Sequence, residues 1–169
     1  MEIIEFGRLS PEQRAELEDE EKDPYGDEDF PLRHRPKEHH VGLRDDSGRL
    51  VASTGMVVTD VEVEHRSFAV VGIGGVIVNA QHRGRGLARD VLGAALAKAR
   101  SLGPEFALLF CFEDRAGIYL KLGFAPITAE VVVRQPDGYA KMPQLAMWHA
   151  LHPGAIWPDG AVLVQSLPF

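Results

Sequence analysis

At 169 residues and 18.6 kDa, the chain is long enough for one domain with a sizeable core (residues 1–169), and its 45% hydrophobic, 25% charged composition excludes a disordered, collagenous or fibrous protein. With 25 acidic and 18 basic residues the net charge is -7, which argues against nucleic acid or an anionic membrane surface as partner, because both need a broad excess of Lys and Arg. A single cysteine excludes an internal disulfide framework and any multi-Cys zinc site.

The opening Met1-Glu2-Ile3-Ile4-Glu5 lacks the basic start and apolar core of a secretory signal, so the expectation is a soluble cytoplasmic protein. Ser10-Pro11-Glu12-Gln13 predicts a helix start: Ser10 as cap, Pro11 in the first turn, Gln13 completing a capping box. That helix is expected to run to about Glu21 and to face water apart from Ala15 and Leu17. Between Glu16 and Asp29 stand nine carboxylates and one Lys. They read as a solvated helix and loop or, more sharply, as a negative lip for a cationic small molecule. The basic stretch Arg33 to His40 reads as loop, and no metal site is expected there.

Three strands follow: Val41 to Arg44, Arg49 to Glu64 and Phe68 to Val78. Gly72, Gly74 and Gly75 are expected to bulge the third, either for close packing or to leave bare backbone for a ligand. That run is also too short to span a bilayer. Leu87 to Arg100 carries Leu87, Ala88, Val91, Leu92, Ala95, Leu96 and Ala99 along one helical face and ends at Gly103-Pro104. Phe106 to Phe112 reads as an apolar strand. A short helix capped by Asp114 runs to Leu122, with Gly123 as its stop. Strands near Thr128 to Arg134, Leu145 to Leu151 and Ala161 to Gln165 complete a mixed α/β sheet.

The chemistry concentrates between the third strand and the long helix, in Val76-Ile77-Val78-Asn79-Ala80-Gln81-His82-Arg83-Gly84-Arg85-Gly86-Leu87-Ala88-Arg89. A helix's first turn offers N–H groups without intrahelical partners, and its dipole adds about half a positive charge there. Glycines let the backbone close on phosphate oxygens, and Arg83, Arg85 and Arg89 add full charges. The loop therefore suits a di- or triphosphate group. It is not a Walker loop, and the dinucleotide fingerprint fails because Arg89 stands where its third glycine belongs.

This segment resembles the acetyl-CoA loop [QR]-x-x-G-x-[GA] of the GNAT superfamily of N-acetyltransferases. Two registers fit, one from Gln81 and one from Arg83. The second (Arg83, Gly86, Ala88) matches the family's spacing from the strand end at Val78. Tyr119-Leu120-Lys121-Leu122-Gly123-Phe124 is similar to the family's Y-x-K-L-G-F segment and lies in the expected order. The likeness is good over residues 48–126, with a looser one to aminoglycoside N-acetyltransferases. It implies a GNAT-like fold whose central sheet splays open between the strand ending at Val78 and the strand at Phe106 to Phe112. Pantetheine would pair with Val76, Ile77 and Val78, and the amides of Gly84, Arg85, Gly86, Leu87, Ala88 and Arg89 would hold the pyrophosphate. Acetyl-CoA is the implied cosubstrate, and a small cationic molecule with a primary amine is the implied acceptor. A monomer or homodimer is expected.

An amine must be neutral to attack a thioester, which costs a lysine-like amine about 4.6 kcal/mol at pH 7 and an α-amino-like amine about 1.4. The resemblance places Tyr119 beside the departing CoA sulfur. Full proton transfer from an ordinary phenol to that thiolate is uphill by about 2 kcal/mol, so a stabilising hydrogen bond is the expected role. Main-chain N–H groups near Val76 would polarise the carbonyl. The sequence departs from the pattern at Gly72 and Gly74, where many members carry a glutamate base, and at Phe112, where many carry an Asn. The carboxyl group of Phe169 is a candidate substitute for that base, and Cys111 reads as core. Alternatives are a catalytically silent acyl-CoA-binding or sensor module, and an acetyltransferase acting on a protein amino terminus or lysine.

Overall fold

The computed structural model describes residues 1–169. One ten-stranded mixed sheet carries the chain. Its strands are β1 (Glu2–Phe6), β2 (His39–Arg44), β3 (Leu50–Val63), β4 (Arg66–Val78), β5 (Phe106–Cys111), β6 (Ala125–Pro126), β7 (Val131–Gln135), β8 (Gly138–Lys141), β9 (Leu145–Ala150) and β10 (Val162–Val164). The helices are α1 (Pro11–Glu18), α2 (Leu87–Arg100) and α3 (Ala116–Lys121). The mixed α/β class is as expected. No helix is long and apolar enough to cross a membrane.

The hairpin β3–β4 forms the spine, and β3 shares its outer edge between β2 on its first half and β10 on its second. β4 pairs with β5 in parallel, β5 with β9, and β9 with β6; on the other wing β10 pairs with β7 and β7 with β8. β4 contains a bulge. Two steps on β3, from Ser53 to Gly55, oppose three on β4, from Ile77 to Gly74, and the extra residue Gly75 takes φ +62°.

α2 buries Leu87, Val91, Leu92, Ala95, Leu96 and Ala99 in the largest core, with Val71, Ile73 and Leu109. α1 buries only Leu17, against Leu50 and Ile77. Since Ile77 points away from Val76 and Val78, which join the α2 core, the two helices cover opposite faces of β4. A second core gathers Val70, Phe106, Leu108, Trp157 and Phe169.

Four local expectations differ from the structure. His39 and His40 open β2 rather than belonging to the basic loop, because they pair with Met56 and Gly55 of β3. The Ser10 capping box forms as predicted, but α1 stops at Glu18 because Asp19 and Glu20 adopt positive φ. Asp114 does not cap α3; it lies inside a turn of 3-10 helix at Glu113–Arg115, and neither short helix has a side-chain cap. β1, β6 and β8 were not expected. β1 hides because Ile3 and Ile4 are adjacent, which breaks the alternation, and Ile3 remains 61% exposed.

Candidate functional site

The pairing of β4 with β5 runs only from Val71–Ala107 to Ile73–Leu109. Past Ile73 the strands part, so the β5-facing edge of Val76, Ile77 and Val78 has no strand partner, while the other edge stays bound to β3 at Ile77–Ser53 and Val78–Ala52. Val76 and Val78 are half-buried at this split and Ile77 is buried. The carbonyl of Val78 accepts a hydrogen bond from Arg83 Nε at 3.1 Å, so part of the expected pantetheine edge is used within the chain.

Beyond the split the chain makes a turn of 3-10 helix at Ala80–His82, capped by Asn79, and reaches the Gly/Arg loop. Gly84 and Gly86 take φ +77° and +81°, and Gly86 caps α2 without a side-chain hydrogen bond. The first helical bond is from Asp90 N to Gly86 O, so no main-chain acceptor takes the N–H groups of Gly84, Arg85, Gly86, Leu87, Ala88 and Arg89. These amides and the helix dipole form an anion cradle. Arg85 and Arg89 project outward; Arg89, 70% exposed, touches only Asp90, at 3.6 Å. Arg83 departs from expectation. Its guanidinium is bound at both ends by Glu21, at 3.0 and 2.6 Å, so it anchors the loop and adds no free charge to the cradle.

Tyr119 lies on α3, buried among Leu109, Cys111 and Phe124, and lines a cavity of about 370 Å³ at the split. Burial, with smaller help from Cys111, pushes its phenol up to about 12. Burial likewise raises the Cys111 thiol to about 11, and its Sγ sits 3.8 Å from Met147 Sδ, which agrees with a core role. The cavity wall also includes Ile73, Gly74, Gly75 and Val76 from β4 and Phe110 and Phe112 from the β5 side.

Gly74 lines the cavity, but neither it nor Gly72 leaves room for a side chain. A Cβ at Gly72 would meet the Phe169 ring at 2.5 Å, and one at Gly74 would meet the Phe169 main-chain oxygen at 2.5 Å. The chain's own last residue occupies the space a strand carboxylate would need.

Of the two readings of the Glu16 to Asp29 run, the structure favours the solvated helix and loop over the negative lip. Glu16 accepts from Leu50 N, Glu18 pairs with Arg14, Asp19 takes Arg49 and Gln81, Glu21 takes Arg83, and Asp23 accepts from the amides of Asp27 and Glu28. Of the nine carboxylates only Asp27 reaches the cavity. The rest of the wall carries an excess of basic side chains that no single sequence segment announces: Arg8, Arg14, Lys37 and Arg115 line it together with His34 and His40, among Leu9, Tyr25, Pro36, Gln144 and Phe169. The only local signal was the basic stretch Arg33 to His40.

Residues 14–127 match the family model for an acetyltransferase (GNAT) domain. No curated protein matches the chain. Among solved structures, the chain is similar to the GNAT family N-acetyltransferase YhbS from Escherichia coli in complex with CoA (TM-score 0.60, 19% identity, 96% of this chain and 89% of that one). It is also similar to an aminoglycoside 6'-N-acetyltransferase complexed with coenzyme A (TM-score 0.61, 17% identity, 94% of this chain and 100% of that one). A third is a GNAT family acetyltransferase from Brucella melitensis in complex with acetyl-CoA (TM-score 0.58, 15% identity, 95% and 94%). At these identities the likeness is one of fold.

Proposed function

The chain belongs to the GNAT acetyltransferase family, and on that premise we propose that residues 1–169 form one N-acetyltransferase domain that moves the acetyl group of acetyl-CoA to a primary amine of a small molecule. The observation that carries this reading is the line of unpartnered N–H groups from Gly84 to Arg89, which follows in the chain from the unpaired end of β4, whose Gly74 to Val76 line the same cavity as Tyr119. The amides of Gly84 to Arg89 bind the pyrophosphate, with Arg85 and Arg89 adding charge and Arg83 fixing the loop. Val76, Ile77 and Val78 lie along the pantetheine.

The neutral amine attacks the thioester carbonyl, the C–S bond breaks, and the amine's proton leaves to solvent or base. Main-chain N–H groups at the β4 bulge polarise the carbonyl oxygen. Tyr119 donates a hydrogen bond to the departing sulfur. Full transfer from a phenol held at about 12 to a thiolate near ~8.5 is uphill by about 5 kcal/mol, so the phenol keeps its proton until solvent neutralises the thiolate.

The test is free-thiol release from acetyl-CoA across a panel of amines, joined to calorimetry with CoA, ATP and NAD. Binding of CoA alone, with amine-dependent thiol release, is the expected result. Preference for ATP or NAD, or CoA binding without turnover of any amine, overturns it.

A further inference from the structure

We propose that the acceptor amine carries an anionic group, a carboxylate or a phosphate, which Arg8, Arg14 and Lys37 hold in the cavity that Tyr119 also lines. This rests on the acetyltransferase reading of the site and replaces the cationic acceptor suggested by the acidic run.

Four permanent or near-permanent cations line the cavity, Arg8, Arg14, Lys37 and Arg115, against the side-chain carboxylate of Asp27 and the carboxyl group of Phe169, which sits on Gly74, so positive charge is still in excess. In a chain of net charge -7 this is a local reversal of sign, which concentrates anions. The cations are not equally committed. Arg115 donates to Tyr25 O at 2.7 Å and lies over the Phe112 ring. Arg14 gives one nitrogen to Glu18 at 3.2 Å on the exposed side of α1. Arg8 and Lys37 have no ion-pair partner.

Lys37 is the most telling. Its stem lies on Gly55, and its Nζ comes within 3.6 Å of the place a side chain would take at Gly75, beside the β4 bulge. Half-burying an ammonium with no carboxylate within ion-pair distance is costly, and burial, with Arg14 adding to it and Asp27 only partly opposing it, holds its pKa below the ordinary lysine value. An anionic substituent on the acceptor supplies that counter-ion. It also fixes the amine's distance from the thioester. A polyamine would instead place like charges together in a half-enclosed cavity.

The experiment uses the full chain saturated with CoA, so that the Gly84 to Arg89 loop is already occupied. Calorimetry compares O-phosphoethanolamine with ethanolamine, β-alanine with its amide, and putrescine as the cationic case. These pairs separate phosphate from carboxylate recognition. At least one anionic amine binds about tenfold or more tightly than its neutral partner, and Arg14→Gln, Arg8→Gln and Lys37→Met each remove most of that preference. Lys37→Arg retains it. Arg14 is 54% exposed, so its variant remains informative if Lys37→Met does not fold. Equal affinity across charge classes, tighter putrescine binding, or no binding by either anionic amine overturns the proposal. Thiol release at equal kcat/KM for all amines keeps the acetyltransferase reading and removes this one; tight binding of an anionic amine with no turnover of any amine overturns the acetyltransferase reading, and with it the acceptor role, while leaving anion recognition by Arg8, Arg14 and Lys37 in place.

Discussion

Arg83 and Glu21 meet as a two-point fork, with Nη1–Oε1 at 3.0 Å and Nη2–Oε2 at 2.6 Å, and this pair ties the loop after α1 to the loop before α2. The two side chains are 46% and 30% exposed, so the pair adds at most about 1 kcal/mol to stability. Its effect is on charge: Glu21 neutralises the arginine that the sequence would rank first in the cradle. Arg83→Gln is therefore expected to weaken CoA by less than about threefold, whereas Arg85→Gln or Arg89→Gln weakens it by about three- to tenfold, more at low salt. Calorimetric titration with CoA at two ionic strengths decides the order. A larger loss at Arg83 than at Arg89 would show that the fork opens to meet the ligand.

The cradle needs a left-handed glycine at the start of α2. At Gly86, φ +81° costs any L side chain about 1–2 kcal/mol. For a chain of this length 1 kcal/mol lowers Tm by about 2–4 °C. Gly86→Ala should show that loss in thermal denaturation and, because the helix start shifts, a larger proportional loss in CoA affinity than Arg85→Gln. Unchanged CoA binding in Gly86→Ala would detach the amides from the phosphate.

What the sequence disclosed about this site was local. The α2 stripe, the Gly84/Gly86 turn and the Tyr119 helix each lie within a few residues and carry their own periodicity or backbone signature. Distant pairings were hidden. Phe169 packs on Gly72 and Gly74 across almost one hundred positions of chain, and nothing in Ser166-Leu167-Pro168-Phe169 announces that partner. The carboxylates from Glu16 to Asp23 looked free because Arg49, Gln81 and Arg83 reach them only after β3 and β4 have paired. The basic cavity wall draws Arg8, Arg14, Lys37 and Arg115 from four separate segments, and no window of sequence holds them together.

Restoring a strand carboxylate should fail for the same reason. Gly74→Glu places its Cβ 2.5 Å from the Phe169 oxygen and must push the chain's last residue off the sheet. Overpacking of this kind costs about 1–3 kcal/mol. The expected variant unfolds at lower urea and gains nothing in kcat. A rise in kcat with unchanged stability would mean that Phe169 yields freely and that the position accepts a base.

Tyr119 should act as a hydrogen-bond donor whose protonation never changes in the working range. Its phenol, held at about 12, keeps the proton through pH 10, so kcat has no alkaline limb from this group. Tyr119→Phe is expected to lower kcat by about tenfold or more while CoA affinity stays within about twofold. A limb near pH 10 that vanishes in Tyr119→Phe would show instead that the phenol titrates normally and shuttles protons.

The histidines beside the cavity should make stability fall with mild acid. His34, stacked on Phe30, and His40, whose Nδ1 meets the Gly7 carbonyl, are both held below the ordinary histidine value of 6.5, first by burial and then by the nearby Lys37 charge. The unfolded chain therefore takes up protons first as pH falls below about 6.5. Their contribution is full above that pH and is lost as pH drops toward their folded values. Asp19, Asp45 and Glu38 are lowered as well, but from 3.8, 3.8 and 4.5, so their losses come at lower pH and leave the interval from about pH 5 to 7 to the histidines. Urea unfolding should give a lower free energy at pH 5.5 than at 7.5, and the double variant His34→Asn/His40→Asn should flatten that slope. A slope unchanged in the double variant would assign the acid sensitivity to other groups.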